Sequence, residues 1–212
     1  MLKNPRIALD LDGVVVNFHQ RVIDIYNDRF GAQLTTSDID GDLESLGTEL
    51  AKNLISIFNE DGFLLNLEPL DGAIQTVSQF PDLGYHVTVC TAPARNLDGI
   101  INPNSAAEKF HWIRKWLPFW SNDVIITKHK ELVATDILID DWAHNIINWC
   151  EANPEGIGYI IDQPWNQKLR NYPHNAVRGS LANVASFINK HWCTERGKFV
   201  YRLDELQTDC WK

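Results

Sequence analysis

A short apolar run at residues 7–9 leads directly into an acidic turn that contains Asp10, Asp12 and Gly13. Two carboxylates this close at the end of a buried strand repel each other unless a cation or a shared proton stabilises them. The pattern therefore predicts a strand that ends in a metal-assisted phosphoryl-transfer site. Solvated turns and calcium loops also begin with Asp-x-Asp-Gly, but a calcium loop needs Glu at its twelfth position, which is Arg21 here.

Length and composition indicate a packed globular protein with one sizeable core and a small accessory domain. The chain has 212 residues, an apolar fraction of 44% and eight tryptophans. No apolar stretch approaches the roughly 20 residues of a membrane span. The formal net charge of −9 disfavours broad contact with the phosphate backbone of nucleic acids. Because residues 1–6 lead straight into the first strand, we expect no signal peptide.

The cysteines indicate a reducing compartment. Cys90, Cys150, Cys193 and Cys210 show no spacing typical of metal ligands. Cys90 lies in a strand-like apolar run, so we expect a reduced, buried thiol at this position. Because free thiols are typical of cytoplasmic proteins, we expect a cytoplasmic location.

Strand-like apolar runs alternate along the chain with segments whose apolar residues have helical spacing. This alternation predicts an α/β fold. Strands are predicted at residues 5–11, 86–90, 124–126, 137–139 and 157–161, and helices at residues 17–30, 43–58, 72–80, 105–116 and 181–191. We expect Ser105 and Glu108 to form a capping box, residues 62–69 to return in extended form, and residues 96–104 to be a loop. The alternation predicts a doubly wound parallel sheet with right-handed crossovers.

Residues with chemical function follow four of the predicted strands. In chain order they are Asp10 and Asp12, then Thr91, then Lys128 and Lys130, then Asp140 and Asp141. The carboxyl ends of parallel strands meet at one edge of a sheet, where sites of this fold class lie. We therefore expect four carboxylates, a hydroxyl and two lysines to meet there, although Lys128 is equally compatible with a solvated surface position.

This order of motifs resembles the haloacid dehalogenase-like phosphohydrolases, and more closely the cytosolic and mitochondrial 5′(3′)-deoxyribonucleotidases. The motifs that carry the closer resemblance lie at residues 10–18, 66–73, 90–93, 108–113, 126–130 and 136–141. The Asn-Leu-Glu-Pro sequence at residues 66–69 and the Glu-Lys-x-x-Trp sequence at residues 108–112 are the more specific signals.

The resemblance implies a Rossmann-like core with a small helical cap inserted after the first strand. The core would comprise residues 1–16 and 73–212, and the cap residues 17–72. The inserted stretch is also too long for a simple crossover between strands. A cap of this kind excludes water from the site and supplies contacts to the substrate.

The resemblance also implies a Mg²⁺-dependent phosphomonoesterase. Asp10 is the expected nucleophile, which forms an aspartyl-phosphate, and Asp12 is the expected general acid and base. The expected metal ligands are Asp10, the backbone carbonyl of Asp12, and one residue of the Asp140 and Asp141 pair. The resemblance favours Asp141 as the direct ligand, whereas the residues themselves leave that choice open.

The implied substrate is a nucleoside monophosphate. Asp12, Thr91 and Lys130 are expected to contact the phosphate. Phe18 is expected to stack on or border the nucleobase, and Phe63 to line the same pocket.

The chain departs from the nucleotidase pattern in three places. Residues 39–44 lack an aromatic pair, Leu64 replaces a phenylalanine, and Ala92 replaces a serine. These changes leave the residues for the phosphate chemistry intact, but they do not let the resemblance predict which nucleobase is preferred. The alternatives are a related phosphatase that acts on a sugar phosphate or a polynucleotide end, and a non-catalytic binding scaffold. The resemblance implies a homodimer, and we expect neither a membrane nor a stable nucleic-acid partner.

Overall fold

A six-stranded parallel sheet forms the centre of the fold. The computed structural model describes residues 3–39, 48–167, 172–193 and 196–200. The strands are β1 (Arg6–Leu9), β2 (His86–Thr91), β3 (Val124–Ile126), β4 (Ile137–Asp140), β5 (Ile157–Ile161) and β6 (Ala176–Gly179). Their spatial order is β3-β2-β1-β4-β5-β6, and every neighbouring pair is parallel. A separate antiparallel pair consists of β7 (Trp192–Cys193) and β8 (Lys198–Phe199).

Helices pack on both faces of this sheet, which confirms the predicted doubly wound α/β fold. Within the described ranges the helices are α1 (Phe18–Phe30), α2 (Thr48–Phe58), α3 (Ala73–Val77), α4 (Pro103–Trp116), α5 (Ala143–Ala152) and α6 (Val184–His191). On one face Ile7 and Leu9 share an apolar cluster with Trp112 of α4, and on the other Ala8 clusters with Trp149 of α5. The part of a strand that is covered on both faces must be apolar, which is why residues 7–9 of β1 form a continuous apolar run.

The strand order reverses at β1, and this reversal positions the candidate site. Ligands of doubly wound folds bind outside the carboxyl ends of the strands at such a point. Leu9 of β1 lies in register with Ile139 of β4, and the amide of Asp10 donates to the carbonyl of Ile139 at 3.0 Å. The residues that follow these two neighbouring strands are therefore delivered to the same place.

The structure corrects three predictions about individual elements. α4 begins at Pro103 rather than Ser105, because the side chain of Asn102 accepts from the amide of Asn104 and caps the helix. Residues 61–66 form successive turns and not an extended return. β6 is a sixth strand that the sequence patterns do not predict. Of the helix predicted at 43–58, residues 43–47 lie outside the described ranges, and residues 48–58 form α2.

The segment at residues 17–72 leaves and re-enters the core at adjacent points. The amide of Asn17 donates to the carbonyl of Glu68 at 3.0 Å. α1 and α2 pack against each other, and the rings of Phe18 and Phe58 lie 5.5 Å apart. This arrangement fits an inserted helical unit, and the division into core and cap stays a prediction.

The structure tests the predicted burial of Cys90. Cys90 and Cys150 are free and buried, so the buried thiol predicted at Cys90 is confirmed. Cys210 lies outside the described residues. In the part of the chain that the structure describes, no helix has both the length and the apolar character needed to cross a bilayer.

Candidate active site

Lys130 joins two of the predicted acidic residues at the edge of the sheet. Its ammonium nitrogen lies 2.8 Å from Oδ1 of Asp10 and 2.6 Å from Oδ2 of Asp140. All three side chains are almost completely buried. A lysine in this position holds the two carboxylates close together despite their mutual repulsion.

The neighbouring acids Asp140 and Asp141 have different surroundings. Asp140 accepts from the amide of Trp142 at 2.8 Å and from the side chain of Asn145 at 3.0 Å, in addition to its contact with Lys130. Asp141 accepts from the indole nitrogen of Trp165 at 2.8 Å through Oδ2. Among the described residues, no donor is paired with Oδ1 of Asp141. Asp141 therefore retains an oxygen that is available to a ligand, whereas both oxygens of Asp140 are occupied.

Asp12 is held by a lysine that the strand-end argument does not include. Lys109 of α4 forms a close ion pair with Oδ2 of Asp12 and donates to Oγ1 of Thr91 at 2.7 Å. The Lys109 side chain is buried, and that of Asp12 is a quarter exposed. The helix that follows β2 thus links the end of β1 to the end of β2.

Burial and repulsion shift the pKa values of the cluster. Removal from water raises the pKa of Asp141 well above its ordinary value, and the charges of Asp140 and Asp10 raise it further. Burial opposes the charged form of Lys130, but the adjacent carboxylates outweigh it and raise the pKa of Lys130 above its ordinary value. The lysine therefore stays charged, and three carboxylates against one ammonium leave a formal charge of −2.

The donor set suits a divalent cation. Asp10, Asp140 and Asp141 each offer a carboxylate oxygen, and these oxygens lie within 4.8 Å of one another. Hard carboxylate oxygens are the ligands that Mg²⁺ prefers, and the charge of −2 matches such an ion. The carboxylate of Asp12 lies outside this group, which leaves its backbone carbonyl as the predicted contribution of that residue.

Gly13 makes room for this arrangement. Its φ of +72° lies in the left-handed region, which glycine adopts without strain. A Cβ at this position would stand 2.1 Å from Oδ2 of Asp141 and 2.9 Å from the Trp165 ring. The turn after β1 therefore presses directly against Asp141, and a larger residue there would displace the carboxylate.

An aromatic patch lies at the start of α1. Phe18 is half-buried, and its ring lies 5.5 Å from that of Phe58 and 5.7 Å from that of Phe63. The loop that carries Phe63 is tied to α4, because Glu108 accepts from the amides of Gly62 at 2.7 Å and Leu64 at 3.0 Å. The predicted pocket residues Phe18 and Phe63 are thus in contact with each other.

Lys128, one of the residues predicted at the sheet edge, lies apart from the acidic cluster. Two residues that contact carboxylates of the site, Lys109 and Trp165, were not predicted. Lys128 is exposed, so the solvated interpretation of this lysine is correct. Lys109 lies on the buried face of α4 with Ser105 and Trp112, and a lysine in that helical period was the available signal. Trp165 follows the end of β5, and this position beyond a strand end was the available signal.

The family assignment rests on a match over most of the chain. The family described as 5′ nucleotidase, deoxy (Pyrimidine), cytosolic type C protein matches residues 4–185. The chain belongs to this family. It is accordingly a phosphoric monoester hydrolase, and the resemblance noted from its motifs is confirmed.

Individual relatives and solved structures agree with that assignment. The chain is 26% identical over 196 residues to the human cytosolic-type 5′(3′)-deoxyribonucleotidase, a match that covers 82% of this chain and 92% of the relative. It is 30% identical over 177 residues to the human mitochondrial enzyme, covering 79% and 75%. A haloacid dehalogenase-like family hydrolase from Streptococcus pneumoniae has a TM-score of 0.55 at 11% identity, with coverage of 87% and 98%. That structural likeness shows the fold.

Proposed function

We propose that this protein is a Mg²⁺-dependent phosphatase of deoxyribonucleoside monophosphates that works through an aspartyl-phosphate. The observation that carries the proposal is the buried cluster of Asp10, Lys130 and Asp141 beside an Asp12 held by Lys109. A nucleophile, an acid and base, a charge stabiliser and a cation-binding set are the parts that phosphoryl transfer needs.

Asp10 is the proposed nucleophile. One oxygen of Asp10 lies against Lys130. The other attacks phosphorus, and the bond from phosphorus to the leaving oxygen breaks as the aspartyl-phosphate forms. Asp12 gives its proton to the leaving oxygen. Asp12 then removes a proton from water, and the water oxygen attacks phosphorus to release phosphate and regenerate Asp10.

Lys130 and Thr91 are the proposed stabilisers of the phosphoryl oxygens. The buried Lys130 ammonium supplies positive charge where negative charge develops. Lys109 donates to Oγ1 of Thr91, so the hydroxyl proton of Thr91 is left for a phosphoryl oxygen. The contact therefore supports a donor role for Thr91 toward the phosphoryl group.

Asp10, Asp141 and the backbone carbonyl of Asp12 are the proposed ligands of Mg²⁺. Oδ1 of Asp141, which no donor among the described residues contacts, supports this residue as the ligand. The three donors around Asp140 support a role in holding Lys130. When bound, Mg²⁺ supplies positive charge to the phosphoryl group and orients it for attack. A Bacillus subtilis hydrolase of the same fold, at 11% identity and a TM-score of 0.56, has been solved bound to magnesium.

The aromatic patch is the proposed nucleobase contact. Phe18 lies near the start of the proposed cap at residues 17–72, and its neighbour Phe63 comes from the same segment. Aromatic rings bind bases by stacking, which tolerates changes in the base. The names of the human relatives support a deoxyribonucleotide, and the family description supports a pyrimidine.

The proposed cellular setting is the cytoplasm. The free, buried thiols of Cys90 and Cys150 and the cytosolic type of one human relative support it. The homodimer implied by the resemblance stays a prediction, which light scattering of the purified protein tests.

A substrate screen tests the proposal. Steady-state kcat/KM is measured with Mg²⁺ for deoxyribonucleoside and ribonucleoside monophosphates, sugar phosphates and phosphorylated oligonucleotides. We expect the deoxyribonucleoside monophosphates to be the best substrates and Asp10→Asn to abolish release of phosphate from all of them. A large advantage for sugar phosphates or oligonucleotide ends would overturn the substrate assignment. Equal absence of turnover in the unaltered protein and in Asp10→Asn would favour the binding scaffold.

A further inference from the structure

Trp165 gives Asp141 a fixed orientation without reducing its charge. Its indole nitrogen donates to Oδ2 of Asp141 at 2.8 Å, and both side chains are buried. An indole N–H carries no formal charge, unlike the lysine that contacts Asp140. The hydrogen bond therefore occupies one oxygen of Asp141 and leaves the second oxygen for a cation.

The loop that bears Trp165 is itself tied to Asp141. The side-chain amide of Asn166 donates at 2.8 Å to the carbonyl of Asp141 and at 2.8 Å to the carbonyl of Ile161, the last residue of β5. Gly13 lies on the other side, where a Cβ would collide with both Asp141 and Trp165. The indole therefore has little room to move relative to the carboxylate.

His19 of α1 completes the contact from the side of the proposed cap. Its ring stacks on Trp165 with a centroid distance of 3.9 Å and an interplanar angle of 27°. Within the described residues, Nδ1 of this buried histidine has no hydrogen-bond partner. The ring thus acts here as a flat surface against the indole. His19 also follows Phe18, so one helical turn contacts both the aromatic patch and the Trp165 loop.

We propose that Trp165 and His19 form a positioning pair for the metal: Trp165 orients Asp141 as a ligand, and His19 holds Trp165 against the carboxylate. The inference rests on the proposed function, because it takes Asp141 as a ligand of Mg²⁺. Donors behind metal ligands fix the orientation of those ligands, and their loss typically weakens metal binding by roughly 10- to 100-fold. The metal site then depends on a residue of α1, although α1 supplies no ligand.

The test is titration of the purified full chain with MgCl₂ by isothermal calorimetry, without substrate. Trp165→Phe keeps the ring and the stack but removes the N–H. We expect its Mg²⁺ dissociation constant to rise by roughly 10- to 100-fold. We also expect raised Mg²⁺ to restore kcat. Trp149→Phe is the matched control, because the buried indole of Trp149 donates at 2.9 Å to the carbonyl of Val133, away from the cluster. Its Mg²⁺ affinity is expected to match that of the unaltered protein.

A second pair of variants tests the stack. His19→Phe keeps a flat ring and is expected to keep the affinity for Mg²⁺, whereas His19→Ala is expected to lower it. If Trp165→Phe, folded by circular dichroism, binds Mg²⁺ as tightly as the unaltered protein, the inference fails while the proposed function stands. If His19→Ala and His19→Phe bind Mg²⁺ equally well, the role of His19 fails. If the unaltered protein itself does not bind Mg²⁺, the proposed function fails first.

Discussion

Replacing Lys109 by methionine tests how much of the rate depends on one buried ammonium group. Lys109 holds the carboxylate of Asp12 and donates to Thr91 at 2.7 Å. Methionine fills a similar volume and removes both contacts. We expect the fold to persist, because Asp12 is a quarter exposed and water replaces part of the lost interaction.

The size of the effect follows from the contact between Lys109 and the carboxylate of Asp12. A hydrogen bond to a charged group contributes roughly 1.5–3 kcal/mol. If that amount is lost from the transition state, kcat falls by about 10- to 150-fold, since each 1.36 kcal/mol is a factor of ten. The partial exposure of Asp12 favours the lower half of that range, about 10- to 50-fold. KM is expected to change little, because the proposed role of Asp12 is proton transfer to the leaving oxygen.

The assay is steady-state phosphate release from a deoxyribonucleoside monophosphate at saturating Mg²⁺, with thermal melts to check folding. Lys128→Met is the matched control, since Lys128 is an exposed lysine outside the cluster. Its kcat is expected to equal that of the unaltered protein. A Lys109→Met protein that is folded and retains its full kcat would refute the reasoning, as would an equal loss in Lys128→Met.

Three further predictions concern Asp12, Gly13 and His19. Asp12→Asn is expected to lower kcat by roughly 10²–10⁴-fold, measured by phosphate release, because it removes the proposed general acid and base. Gly13→Ala is expected to abolish turnover and to lower the free energy of unfolding by more than the roughly 1–2 kcal/mol of a left-handed alanine, measured by urea denaturation, because its Cβ meets Asp141 at 2.1 Å. Burial lowers the pKa of His19 from 6.5 to about 4, so the unfolded chain takes up a proton first as the pH falls. His19 is therefore expected to cost about 3 kcal/mol of stability between pH 7 and pH 4, and urea denaturation of His19→Phe is expected to lack this loss.

Each of these predictions has a result that contradicts it. A kcat within about threefold of normal in Asp12→Asn would remove that residue from proton transfer, because the change is far below the expected range. Gly31→Ala has a similar φ of +62° but meets nothing within 4 Å, so equal behaviour of the two glycine variants would show that the contact with Asp141 is unimportant. An unchanged pH dependence of stability in His19→Phe would exclude a buried neutral histidine.

The strand ends were the part of the site that the sequence predicted well. Apolar runs buried on both faces are long enough in β1 and β4 to be recognised, and parallel order then requires Asp10, Asp140 and Asp141 to meet. β6 was missed because its four residues, Ala-Val-Arg-Gly, show neither an apolar run nor clear alternation. Arg178 of β6 instead contacts Asp162 and Asn166 beyond the end of β5, which no local pattern encodes.

The side-chain partners within the site were less accessible to prediction. Lys109 and Asp12 are 97 positions apart, and their contact depends on how α4 crosses the sheet. Trp165 reaches Asp141 from a loop after β5, and its partner His19 comes from α1. Such contacts follow from the packing of helices on the sheet, whereas strand ends follow from the order of strands alone.

Trapping the phosphorylated enzyme tests the central claim most directly. A deoxyribonucleoside monophosphate labelled with ³²P is mixed with excess enzyme and Mg²⁺, quenched in acid within one turnover, and the protein is digested for peptide mapping. The account predicts label on the peptide that contains Asp10, its release by hydroxylamine, and its absence in Asp10→Asn. Turnover with no label at Asp10, or with label on another residue, would contradict it.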